Sequence, residues 1–170
     1  MKPSRAMLAL WCTGVAALAL LAALLIDLAA LDPGVLELQM AYSPHLFGAI
    51  VHQWSPAQLA RYRAHLPVDG VLLLLYGSFG WQLAAHTRVF APLPTTWRRA
   101  AAAWLPLAAV FDAVENLLHA WLTAAPRFGA PEAYLAATGC SLLKWSLLAG
   151  FAALVAAALV REPRCDERAP

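Results

Sequence analysis

Hydrophobic positions gather into four long runs separated by polar, proline-marked connections. The runs cover about residues 7–31, 68–91, 101–124 and 133–160. Each reaches the roughly 20 apolar residues that a helix needs to cross a hydrocarbon core. Short connections between the later runs predict antiparallel neighbours, so the pattern predicts an all-α integral membrane four-helix up-down bundle. Between the first two runs lies the one sizeable loop. Ser43-Pro44 and Ser55-Pro56 each set an N-capping residue before a proline suited to a first helical turn. Two short interfacial helices over about 44–66 are therefore expected. Leu46, Phe47, Ile50, Val51 and Trp54 form the apolar face of the first; Leu59, Tyr62 and Leu66 form that of the second, opposite Arg61, Arg63 and His65. Neither is long enough to span, so both are expected at the membrane surface with Trp54 and Tyr62 at headgroup level, as a lid or as a plain linker.

Pro92 and Pro94 end the second run, and Thr95 or Thr96 is expected to cap the third; Gly129 and Pro131 mark the last turn. Residues 1–162 then form a single domain, followed by a charged tail over 163–170 that reads as disordered and cytoplasmic.

Composition agrees with this class: 62% hydrophobic residues, 13% charged and a mean hydropathy of +0.63. The net charge of +2 is informative through its distribution. Lys2, Arg5, Arg88, Arg98, Arg99, Arg161, Arg164 and Arg168 flank one side of the spans, and only Arg61, Arg63 and Arg127 the other. Basic flanks are retained in the cytoplasm, which predicts that both termini lie inside; the charge shows no nucleic-acid footprint. A cleaved signal peptide is disfavoured, because the first run is long and its best cleavage-like triplet, Leu28-Ala29-Ala30, begins with a large residue. Cys12, Cys140 and Cys165 form no Cys-x-x-Cys pair, which argues against a disulfide oxidase. Ala16, Ala19 and Ala23 in the first span, and Ala149, Ala153 and Ala157 in the fourth, offer small-residue faces for helix contact or a homo-oligomer, though they also fit a generally alanine-rich chain.

The third run carries what a bilayer interior should exclude. In "FDAVENLLHAWL", Asp112, Glu115, Asn116 and His119 fall at i, i+3, i+4 and i+7, on one helical stripe. A charge at the bilayer centre costs at least about 2.5–3.5 kcal/mol, so the stripe must face other helices. Counting inward from the outer helix ends puts Lys144 about 11 positions deep, Asp112 about 12 and Glu115 about 9, a match within about 4 Å. Lys144 is thus the expected counter-ion. Tyr76 and Ser78 lie at similar depth on the second span, with Gln82 deeper, and Asp69 shares a face with Tyr76. Asp27, Asp69 and His119 sit at shallow depths toward the outer side.

These residue types suit acid–base work on a lipid-like or isoprenoid molecule. Asp112, Glu115, Lys144 and Tyr76 are the candidate catalytic groups, and Asn116, His119, Asp69 and Ser78 the candidate binding groups. Proton-coupled transport would use the same groups, and a non-catalytic membrane subunit or assembly factor would use the ion pair only to fix helix packing. No cofactor or metal is expected: the Glu-x-x-His pairs of di-iron bundles are missing, and His86 and His119 lie some 20 Å apart along the helices, too far for bis-His haem.

"LPVDGVLLLLYGSFG" (66–80) followed by "LPLAAVFDAVENLL" (105–118) resembles uncharacterised bacterial four-span integral membrane proteins. Their pattern has an arginine-bearing amphipathic loop, an Asp at the start of the second span, a Tyr seven residues on, and Asp-x-x-Glu-Asn in the third span. Tyr62-Arg63, Asp69, Tyr76, Asp112, Glu115 and Asn116 match it here. The resemblance implies a bacterial inner-membrane location and a shared polar site, and implies no activity; Lys144 and His119 lie outside it.

Overall fold

The computed structural model describes residues 4–125 and 127–161. Among the described residues six helices follow one another: α1 (Arg5–Leu28), α2 (Val35–Gln39), α3 (Pro44–Gln53), α4 (Pro56–His86), α5 (Thr95–Leu122) and α6 (Pro131–Val160). Four of them, α1, α4, α5 and α6, are long and apolar enough to cross a membrane. The chain is an all-α, multi-pass four-helix bundle. The expected tail, with Arg164, Arg168 and Cys165, and Lys2 at the other end, lie outside the described residues.

Capping begins most helices where the sequence signals it. Ser4 Oγ accepts from the Met7 amide (3.3 Å) and Ser43 Oγ from Leu46 (3.3 Å). Ser55 and Gln58 satisfy each other's amides at 3.2 and 2.9 Å, a capping box that opens α4. α5 is the exception to expectation: its cap position is Pro94, without a side-chain bond, and Thr95 and Thr96 lie inside the first turn.

Three differences from the sequence pattern matter for the site. The second loop helix and the second span are one continuous α4, running through Pro67. Proline removes one intrahelical bond and leaves the carbonyl four residues earlier free. That residue, Arg63, is exposed, where water or headgroups can satisfy it. α1 stops at Leu28, ahead of the expected 31, and the chain turns into the unexpected α2, whose Glu37 accepts from the Gly34 amide at 2.7 Å. Trp54 and Tyr62 do not face outward. Both are buried, with Leu31, Leu38, Phe47, Leu122 and Tyr134, in an apolar cluster that seats α2 and α3 on one end of the bundle. The Trp54 indole also donates to the Pro33 carbonyl at 2.8 Å.

At the other end, Phe90, Leu93, Leu105, Phe151 and Leu154 form a second cluster. A Cβ at Gly80 would stand 2.4 Å from Leu105 Cβ, so glycine sets the close approach of α4 to α5. Packing runs α1 on α4, α4 on α5 and α5 on α6. α1 is held mainly by a small cluster of Ala17, Leu24 and Leu72, leaving a cleft between α1 and α6.

Candidate functional site

The α5 stripe is buried, as an ionisable stripe inside a bilayer must be. Glu115 and His119 are each 1% exposed, and Lys144 on α6 is 4% exposed. Lys144 Nζ stands 2.8 Å from Asp112 Oδ1 and 2.8 Å from Glu115 Oε2. Only the Asp112 contact has hydrogen-bond geometry. Glu115 therefore meets the ammonium as a charge, and its oxygens have no directed hydrogen-bond partner. The nearby Ser141 hydroxyl donates instead to the Ala137 carbonyl at 3.1 Å.

α4 supplies the facing groups. The Tyr76 hydroxyl donates to Asp112 Oδ2 at 3.2 Å, and Asn116 Nδ2 donates to Asp69 Oδ2 at 2.6 Å. Deeper under the cap, Tyr62 Oη bonds His119 Nδ1 at 2.6 Å, and His65 Nδ1 bonds the Tyr62 carbonyl. A ring nitrogen facing a carbonyl carries the proton, so His65 keeps Nε2 as an acceptor. Tyr62, His65, Asp69 and Tyr76 form one stripe of α4 across from the α5 stripe.

The structure thus brings Asp112, Glu115, Lys144 and Tyr76 together, with Asn116 and Asp69 beside them and His119 one turn on. Ser78 is not among them. It is exposed and lines a different hollow of about 720 Å³ between α4 and α5, with Gly77, Gln82 and Pro106. Asp27 also lies apart, exposed and 3.8 Å from Arg61 Nε.

Sequence reasoning missed Tyr62, His65 and Gln39. The first two carried a signal: read through Pro67, their spacing to Asp69 and Tyr76 is that of one helical face. Gln39 sits on a helix too short to announce itself, where its Oε1 accepts from the Trp145 indole at 3.1 Å.

A cavity of about 480 Å³ opens onto this constellation. Its polar wall comprises Gln39, His65, Asp69, Tyr76, Asp112, Asn116 and Lys144; its apolar wall is α1, from Trp11 to Leu28, with Leu72 and Leu148. Trp11, Val15, Leu18, Leu21 and Leu25 line it and are also exposed, as is Trp145 across the gap. The cavity is therefore open sideways between α1 and α6, toward what would be lipid. Its volume lies within the roughly 300–1,000 Å³ of small-molecule sites. Among the described residues no three His, Cys, Asp or Glu side chains come together as a metal-binding group.

No family model, curated protein or solved structure matches the chain.

Proposed function

We propose that this membrane protein binds an amphipathic, lipid-like small molecule, head against Asp69, Asp112, Asn116, Lys144 and Tyr76 and tail along α1. The observation that carries this reading is the sideways-open cavity, whose walls are apolar along α1 and polar only at one place. A bundle needing its ion pair only for packing has no use for such an opening. Acid–base transformation of the bound molecule is the chemistry the groups suit best. Glu115 lacks a directed partner beside an ammonium already shared with Asp112, the kind of unequal carboxyl pair that divides acid and base roles.

In this reading the protein lies in a bacterial inner membrane with both termini cytoplasmic. Support comes from the basic residues: Arg61 and Arg127 lie at the capped end, Arg5, Arg88, Arg98, Arg99 and Arg161 at the other. Self-association is a second reading, supported by Ala16, Ala19, Ala23, Ala149 and Ala153, all on outward surfaces.

Native mass spectrometry with lipid analysis of the purified protein tests the first reading. Wild type should retain an amphiphile that Leu21→Trp, which fills the cavity from α1, releases. A bare wild type, or equal retention by a folded Leu21→Trp, overturns it.

A further inference from the structure

The polar wall offers several free acceptors and carries more negative than positive charge. Asn116 faces a carboxylate with its Nδ2 and so keeps Oδ1 as an acceptor. Tyr76 gives its single proton to Asp112 and keeps lone pairs on oxygen. His65 keeps Nε2, and Asp69 has a second carboxylate oxygen beyond the one Asn116 uses. Against these, the available donors are the second N–H of the Asn116 amide, the Gln39 amide nitrogen and what remains of the Lys144 ammonium.

Charge tells the same way. Lys144 is the one cationic side chain lining the cavity among the described residues, and it is held between Asp112 and Glu115. Asp69 lines the cavity with an amide as its partner and no cation. Asp69 is half-buried against an apolar wall, a setting in which a carboxylate gains from a counter-charge or strong donors. The apolar wall, from Trp11 to Leu28, extends for about 25 Å at 1.5 Å per residue, most of the roughly 30 Å thickness of a hydrocarbon core.

From these observations, and resting on the amphiphile-binding reading above, we infer that the ligand is a long-chain amine. Its ammonium sits against Asp69, with Asn116 Oδ1, His65 Nε2 and Tyr76 Oη to receive its N–H groups, and its single chain lies along α1. A carboxylate or phosphate head would add negative charge beside Asp69 and Asp112. A hydroxyl head would leave Asp69 without a counter-charge.

The test is binding to full-length protein in phosphatidylcholine nanodiscs, with empty nanodiscs as reference. Hexadecylamine, hexadecanol and hexadecanoate have matched chains and differ only in the head. The amine should bind about tenfold more tightly than either of the others, the scale of one charge-assisted contact. Asp69→Asn, an isosteric change, should abolish the preference, so that the variant binds the amine no more tightly than the alcohol. Equal binding of all three, or preference for the alcohol or carboxylate, overturns the amine assignment and leaves amphiphile binding standing. Failure of all three to bind above empty nanodiscs overturns both. Retained amine preference in a folded Asp69→Asn removes Asp69 from the head contact and overturns the assignment as stated. Should Asp69→Asn not fold, the comparison of heads on wild type still decides the matter.

Discussion

Tyr62 Oη and His119 Nδ1 stand 2.6 Å apart, joining α4 to α5 beneath the α2–α3 cap at a point where both side chains are 1% exposed. Phe47 meets the His119 ring edge-on at 5.5 Å and Trp54 stacks at a tilt on Tyr62 at 5.0 Å, so this bond is sealed by aromatic rings. The cap is thereby tied to the polar stripe, not merely laid over the bundle.

Tyr62→Phe should cost about 1–3 kcal/mol, because it strands a buried ring nitrogen. His119→Leu alone strands the hydroxyl instead. Combining the two removes both partners, so the double variant should be less destabilised than the sum of the singles, with coupling of about 0.5–3 kcal/mol. Unfolding of the three variants in one detergent measures this; strict additivity would mean that the bond carries no stability.

Lys144 holds two acids from one position on α6. Lys144→Met leaves Asp112 and Glu115 facing each other without a cation, and should cost about 3–5 kcal/mol. Adding Asp112→Asn and Glu115→Gln removes the stranded charge and should recover much of the loss. Thermal unfolding of the single and triple variants checks this. A triple variant no more stable than Lys144→Met would show that packing of the lysine stem, and not charge, is what the site requires.

The Lys144–Asp112–Glu115 contact was legible in the sequence because helical rise is uniform: equal depth on adjacent spans is enough to predict a meeting. Asp69 and Tyr76 were legible as one face for the same reason. Ser78 failed that test despite its matching depth, because two positions along a helix from Tyr76 turns a side chain through about 200° at 3.6 residues per turn, onto another face. The burial of Trp54 and Tyr62 was hidden for a different reason. An amphipathic pattern states that one face avoids water, and it is the same pattern whether that face meets lipid or protein. Pro67 hid the continuity of α4, since proline ends most helices and is tolerated where the freed carbonyl is exposed. The cleft between α1 and α6 had no signal at all; it follows from α1 packing on α4, a tertiary choice that Leu- and Ala-rich periodicity does not encode.

Close approach at Gly80 makes a sharp local prediction. Gly80→Ala places a methyl carbon 2.4 Å from Leu105 Cβ, an atom fixed to the α5 backbone, so the helices must part. The expected cost is about 1–3 kcal/mol. Gly48 in α3 is the control: a Cβ there meets nothing within 4 Å, and Gly48→Ala should stabilise by about 0.5–1 kcal/mol through helix propensity. Midpoints of thermal unfolding that move in the same direction for both variants would contradict this packing.

Orientation can be tested without knowing any ligand. Tyr42 is exposed on the segment before α3, at the capped end, and Thr96 is exposed at the start of α5, at the end that carries Arg88, Arg98 and Arg99. Retention of basic flanks in the cytoplasm puts Thr96 inside and Tyr42 outside. In a background with Cys12, Cys140 and Cys165 changed to Ser, a membrane-impermeant maleimide should label Tyr42→Cys in intact spheroplasts and label Thr96→Cys only after permeabilisation. The reverse pattern would turn the bundle over and place the cap, with the Tyr62–His119 bond beneath it, on the cytoplasmic side. The cavity would still open sideways between α1 and α6, since that opening depends on helix packing and not on which end faces the cell interior. Only the leaflet from which an amphiphile reaches Asp69 would change, because Asp69 lies closer to the capped end of α4's membrane stretch than to His86.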